Sequence, residues 1–326
     1  MTKIPFFTIL IPNYRTEQFL EETLTSLLKQ SFVDFECIVI NDGSPGVDVQ
    51  KITHNPDSVY SNNIIPQSVD LPSQCQFIFD AIVGKDARFN LIHKENGGQG
   101  SARNLGLDKA KGEFILFLDA DDYYKHNHLE LIYSQLQNYK SSWETTIFAY
   151  HDFAEFTVEK ATEKIIPGFA IEQRAKNITL DTNLVFSQIG STFCVIHRTL
   201  FSNLRFRPLC KTMEDVEIIN RMFIERQTKK LPLKVKFISI SDTIMHRRHG
   251  DSITTNDLAS GSIQQAIDMK LQYRYFLQNY PLTFLQKLIC WLGIIRFSLS
   301  PNKSWLQKYC RKVFTFVSKV ISGWWW

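Results

Sequence analysis

With 326 residues, 44% of them hydrophobic and 13% aromatic, the chain suffices for one large or two modest domains and is too apolar to be disordered. Its net charge of +4 is unevenly spread: nine of the 37 Lys and Arg residues lie beyond Asp268, the last acidic residue, so the first 268 positions are net acidic. The six cysteines share no CxxC or other close spacing, which excludes the signature of a disulfide framework or zinc site and predicts reduced thiols in the cytosol. MTKIPFFTIL lacks a basic region followed by an apolar stretch and a cleavage site, so no signal peptide is expected.

Phe6–Ile11 reads as an apolar strand ended by Pro12-Asn13-Tyr14. Thr16 is placed as the N-cap of a helix reaching about Gln30, with Phe19, Leu20, Thr23, Leu24, Leu27 and Leu28 as its apolar stripe. Phe35–Ile40 is a second buried strand, broken by Asn41-Asp42-Gly43-Ser44-Pro45. A strand–helix–strand opening calls for parallel pairing and a right-handed crossover. Residues 46–88 are polar and irregular, apart from a short helix near Gln76–Val83. Asn90–His93 is a third strand, followed by the turn Glu95–Gly100 and a helix from Ser101 to about Ala110. Glu113–Leu118 is a strand buried on both faces, and Asn127–Tyr139 is helical. Thr145–Tyr150 and Ser191–His197 read as strands, Glu214 to about Arg226 as a helix, and Lys234–Ile240 as a late strand. This rhythm predicts an α/β fold, a mostly parallel sheet flanked by helices.

The chemistry gathers after Glu113–Leu118, where Asp119-Ala120-Asp121-Asp122 sets three carboxylates within four residues. Such charges repel, and a hard cation such as Mg²⁺ or Mn²⁺ relieves them. A solvated, capped strand-to-helix turn is the competing reading. The other strand ends also carry polar clusters, and in a parallel sheet these converge on one edge, where open α/β sheets bind ligands.

The stretches FTILIPNY, CIVINDGS, ENGGQGSARNLGL, GEFILFLDADD and MEDVEIINRMF together resemble a family-2 glycosyltransferase of the Rossmann-like GT-A fold, in the expected order over residues 6–225. The resemblance implies that Pro12 and Tyr14 line the nucleotide base, and that Asp42 accepts a hydrogen bond from it. Arg103 would lie near base and diphosphate, in a first helical turn that favours anions. Asp121 would coordinate a divalent metal, with Asp119 or Asp122 touching ribose or reaching the metal through water. Asp215 would be the general base of an inverting transfer, and Glu214 would orient the acceptor. Apart from the resemblance, two acids in a first helical turn also simply complement the helix dipole. His246-Arg247-Arg248 resembles a basic loop that closes over the site: Arg247 or Arg248 would hold the diphosphate and His246 would complete the metal shell. The expected domain is 1–255, with a nucleotide-binding half 1–125 and an acceptor half 126–255.

Residues 256–326 read as a helical extension, and five of the six tryptophans fall in 282–326. Leu288–Ile295 is far too short to span a bilayer. Basic amphipathic helices rich in Trp and Phe suit an anionic membrane surface; packing on the catalytic domain is the alternative. Aromatics alternating with large aliphatics argue against nucleic acid. The sequence thus points to a metal-dependent, inverting transferase using a nucleotide-sugar, a UDP-sugar by preference. Its acceptor would be a surface or lipid-linked glycan at the cytoplasmic leaflet. A catalytically idle nucleotide-sugar-binding scaffold is the rival. A nucleotidyltransferase is disfavoured because FTILIPNYRTEQF holds no glycine-rich basic phosphate loop.

Overall fold

The computed structural model describes residues 3–44, 74–150, 153–157, 162–166, 178–186, 189–208, 212–238, 240, 244–248 and 261–298. The first half builds a parallel sheet. β1 (Phe7–Asn13), α1 (Glu17–Leu28), β2 (Phe35–Asp42), α2 (Gln74–Ile82), β3 (Phe89–Lys94), α3 (Gln99–Lys109) and β4 (Phe114–Phe117) follow in order. β1 pairs in parallel with both β2 and β4, and β2 with β3.

Period-two alternation divides these strands between two cores. Phe7, Ile9 and Ile11 of β1 join Phe35, Cys37 and Val39 of β2 under α1, α2 and α4 (His128–Gln137). Leu10, Ile38, Ile40, Ile115 and Phe117 face the opposite layer. Each aliphatic or Phe side chain buried this way contributes about 1.5–3 kcal/mol, so the sheet is fixed from both sides.

The sheet continues through β6 (Thr146–Tyr150), β9 (Cys194–His197) and β10 (Lys234–Ile238), in the order β10-β6-β9-β4-β1-β2-β3. β9 is inserted antiparallel between β4 and β6. It starts later than the sequence suggested, because Ser191–Phe193 forms a 3-10 turn in which Phe193 N–H donates to Gly190 O. Thr16 does stand at the N-cap of α1, but its hydroxyl donates to Asn13 Oδ1 at 2.9 Å rather than capping the helix. A smaller sheet joins β5 (Tyr123–Tyr124), β11 (Ile244–Arg248), β7 (Phe153–Thr157) and β8 (Thr162–Ile166) in that order.

α5 (Leu180–Phe186), α6 (Glu214–Thr228), α7 (Gly261–Asn279) and α8 (Phe284–Ser298) cover the second face. Met269, Tyr273, Phe276, Ile289, Cys290 and Ile294 are part of that core, so the described part of the C-terminal extension is packed on the sheet domain. Tyr273 lies so close to α8 that a Cβ at position 293 would sit 2.1 Å from its ring, which requires Gly293. No helix among the described residues is long and apolar enough to cross a membrane. Cys37, Cys75, Cys194 and Cys290 are buried free thiols; Cys210 and Cys310 lie outside the described residues.

Candidate active site

Strand register brings the polar ends together. Asn13 lies opposite Asn41, Asp42 opposite Lys94, and Leu118 N–H donates to Leu10 O. Pro12, Asp42 and Asp119 therefore end neighbouring strands on one edge, as parallel pairing requires. Pro12 is buried within β1 beside Ile40, whereas Tyr14 is 41% exposed with the Arg15 guanidinium 5.2 Å over its ring.

Asp42 is 1% exposed, and its Oδ1 accepts from Lys94 Nζ at 2.5 Å and from Gly97 N–H at 3.0 Å. Gly43 beside it has φ +70, and a Cβ there would lie 2.6 Å from Asn96 N. Only glycine meets both demands.

The centre of the edge is Arg103. Its Nη1 donates to Glu214 Oε1 at 2.6 Å and its Nη2 to Asp119 Oδ1 at 3.0 Å, with the guanidinium 5.7 Å from the Phe117 ring centre and 5.5 Å from that of Phe206. Asp119 Oδ1 also accepts from Gln99 Nε2. The arginine is 1% exposed, so it lies beneath the site rather than open to it, tying the end of β4 to the start of α6. Burial works against its charge, but Asp119, Glu214 and Asp215 together hold its pKa above the ordinary arginine value. Asn104 keeps Phe206 in place by bonding both its N–H and its C=O.

α6 opens with Glu214 and Asp215 at this point. Burial pushes the Glu214 carboxyl up to about 7; Arg103 opposes the shift, while Asp215 and Asp119 add to it. Its Oε2 has no hydrogen-bond partner among the described residues. Asp215 is also raised, chiefly by burial, with Arg103 again opposing. Its Oδ1 accepts from Val216 N–H at 2.8 Å and its Oδ2 from Thr192 Oγ1 at 3.5 Å. A Cβ on Gly190 would lie 2.0 Å from Asp215 Oδ2, so the backbone of that turn forms the floor under the carboxylate. Gly190, Thr192 and Gln99 were not picked out from the sequence.

The acidic turn after β4 is fixed from α1: Thr23 Oγ1 lies 2.8 Å from Ala120 O and 2.7 Å from Asp122 O. Asp122 is buried, and Asp119 and Asp121 are partly exposed. β5 pairs with β11 so that Ile244 lies opposite Tyr124 and Met245 opposite Tyr123, and the strand that carries His246 therefore runs beside the residues that follow the acidic turn. The side chains of His246, Arg247 and Arg248 lie outside the description. Among the described residues no group of three His, Cys, Asp or Glu converges on one point. The carboxylate set still fits a hard cation, because Mg²⁺ is commonly held by one or two carboxylates and completed by water and substrate phosphates.

The profile of Glycosyl transferase family 2 matches residues 8–55 and 71–205, more than half of the chain. The chain belongs to that family. It is similar to the glycosyltransferase GlyG of Streptococcus pneumoniae, 26% identical over 76% of this chain and 73% of that protein. It is also 26% identical to the minor teichoic acid biosynthesis protein GgaB of Bacillus subtilis, over 71% of this chain but only 22% of that protein. Among solved structures, S. aureus TarS 1–349 in complex with UDP-GlcNAc superposes over 91% of this chain and 74% of that one. The TM-score is 0.60 and the identity 18%. That likeness shows the fold, which is the GT-A type.

Proposed function

We propose that this glycosyl transferase family 2 member is an inverting enzyme that moves a sugar from a UDP-sugar to an acceptor hydroxyl. The observation that carries the reading is the Arg103 bridge, which holds Asp119 of the β4 edge and Glu214 of α6 in one cluster beside Asp215. In this reading Asp215 takes the proton from the acceptor hydroxyl as its oxygen bonds to the anomeric carbon. The bond from that carbon to the diphosphate oxygen breaks on the opposite face, and the nucleoside diphosphate leaves with the electron pair. Glu214, whose buried Oε2 has no hydrogen-bond partner among the described residues, orients the acceptor. Tyr14 and Asp42 serve the base, and Arg247 or Arg248 the diphosphate. A Mn²⁺ or Mg²⁺ ion, held by Asp121 with Asp122 and His246, supplies Lewis-acid stabilisation of the leaving group when bound. UDP is favoured because a structure of the same fold was solved with UDP-GlcNAc.

The halves 1–125 and 126–255 divide donor from acceptor binding, and the acceptor is a surface or lipid-linked glycan at the cytoplasmic face of the membrane. Phe284, Leu288, Trp291 and Ile295 recur along one exposed stripe of α8, and no acidic residue follows Asp268. That combination suits peripheral attachment of residues 282–326 to anionic lipid.

The test is turnover of a panel of UDP-, GDP- and dTDP-sugars with Mn²⁺. One donor should react, EDTA should abolish the reaction, and Asp215→Asn should still bind nucleotide while losing transfer by at least about 100-fold. Failure of every donor to bind with metal present would sink the reading and leave the acidic turn a capped loop.

A further inference from the structure

Asp215 rests on a turn, and the turn rests on a line of buried amides that starts in the C-terminal helices. Ile189 N–H donates to Asn183 Oδ1 at 3.0 Å. Asn183 Nδ2 donates to Asn220 Oδ1 at 2.8 Å, and Asn220 Nδ2 to Gln272 Oε1 at 3.1 Å. All three side chains are fully buried, and they come from α5, α6 and α7. The direction of the line is set at one end. A backbone N–H only donates, so Asn183 must turn its oxygen to Ile189, and each amide beyond is oriented in turn. The far end bears the cost: Gln272 Nε2 has no partner among the described residues.

What this line holds is the segment that touches Asp215. Gly190 follows Ile189 directly and packs on Asp215 Oδ2, and Thr192 donates to the same oxygen. On its other side the segment is closed by Cys194 Sγ and Phe193 N–H, both bonded to Gly190 O. α5 is itself clamped to the C-terminal hairpin, through Tyr273 O–H on Leu184 O and Gln286 Nε2 on Asp181 Oδ1.

We infer that Asn183 is a positioning residue for Asp215, acting through Ile189 and Gly190, and that Asn220 and Gln272 set its orientation from the C-terminal helices. The inference rests on Asp215 being the base. A shift of the turn moves the carboxylate away from the acceptor oxygen while leaving the donor contacts on the β1, β2 and β4 edge in place.

The experiment measures kcat, donor KM and melting temperature, using the UDP-sugar that turns over fastest with Mn²⁺, for Asn183→Leu, Asn183→Asp and Asp215→Asn. Asn183→Leu removes the acceptor for Ile189 and should lower kcat by about 100-fold while donor KM stays within about twofold. Asn183→Asp keeps that acceptor. Its second oxygen accepts from a turned Asn220 amide, whose Oδ1 then accepts from a turned Gln272 amide, so kcat should stay within about threefold of wild type. A folded Asn183→Leu with wild-type kcat would overturn the inference. So would parallel losses of kcat, KM and melting temperature in both Asn183 variants, which mark a purely structural role. If Asp215→Asn keeps its activity, it is the assignment of the base that has failed. An inactive Asp215→Asn beside an active Asn183→Leu refutes the positioning role alone.

Discussion

Two glutamates, almost equally hidden, stand at opposite ends of the same sheet: Glu36 is 8% exposed and Glu214 5%. Glu36 Oε1 accepts from Thr8 Oγ1 at 2.6 Å and from the backbone N–H groups of Lys111 and Gly112 at 2.6 and 3.2 Å. It rivets β1 and β2 to the turn entering β4. Glu214 takes a single guanidinium, shared with Asp119, and its Oε2 has no partner among the described residues. Backbone donors solvate a buried carboxylate permanently. A carboxylate held by one side chain, crowded by two others and left with a buried, unpartnered oxygen, is destabilised as an anion, as carboxylates at functional sites often are. Burial alone does not separate structure from function; the identity of the donors does.

The strongest way to break this contrast is Arg103→Met. It strands Asp119 and Glu214 without their cation and should cost about 3–5 kcal/mol in a denaturant melt, with turnover lost. Arg103→Lys should not restore activity, because an ammonium lacks the planar fork that reaches both carboxylates. A methionine variant as stable as wild type would show that the bridge is incidental.

Next come the two isosteric changes side by side. Glu36→Gln weakens a rivet and should lose about 1–2 kcal/mol of stability with unchanged kcat per folded molecule. Glu214→Gln removes a desolvated charge and should melt close to wild type, yet turn over at least about tenfold more slowly. The reverse pattern would mean that the two ends of the sheet have been misassigned.

Titration sharpens the comparison further. Burial lifts Glu214 from 4.5 to about 7, so between these values the folded chain keeps a proton that the unfolded chain releases. The stability this group contributes is complete below the lower value and is lost as pH rises through the upper one. Wild type should therefore lose stability relative to Glu214→Gln between about pH 5 and pH 7.5, as read from melting temperatures across that range. Identical slopes would show that Glu214 is ionised throughout. The raised Asp215 carboxyl likewise predicts that kcat falls on acidification at a higher pH than an ordinary aspartate would give.

The sheet was legible because its strands are uninterrupted apolar runs ended by polar clusters, as at Phe114–Phe117 before Asp119. Parallel pairing of β1, β2 and β4 then brought the expected residues to one edge. The antiparallel setting of β9 was not legible, since a short apolar run does not encode its direction. The partners of Arg103 were not legible, because an ion pair between residues 111 positions apart leaves no local pattern. Asn183, Asn220 and Gln272 are common amides at unremarkable spacing, and their alignment exists only once α5, α6 and α7 have packed. Thr16 was assigned as a cap from its position alone, and Asn13 competed for its hydroxyl.

Asp42 tests the rule where its two halves meet, because it belongs to the site by place and resembles Glu36 in its wiring. Its Oδ1 has one backbone donor, Gly97 N–H, and one side-chain donor, Lys94, which is 19% exposed. Among the described residues its Oδ2 has only Asn96 Nδ2, at the long distance of 3.4 Å. Lys94→Met leaves the backbone bond in place, so the expected loss of stability is small, about 1 kcal/mol. If Lys94 only screens Asp42, donor KM should move by less than about threefold, because Oδ2 remains available for the base contact proposed for Asp42. A KM rise of tenfold or more, with stability unchanged, would instead make Lys94 a direct ligand of the donor. Asp42 would then be the residue that positions it, and the backbone-donor rule would have found a support beneath the binding surface rather than the surface itself.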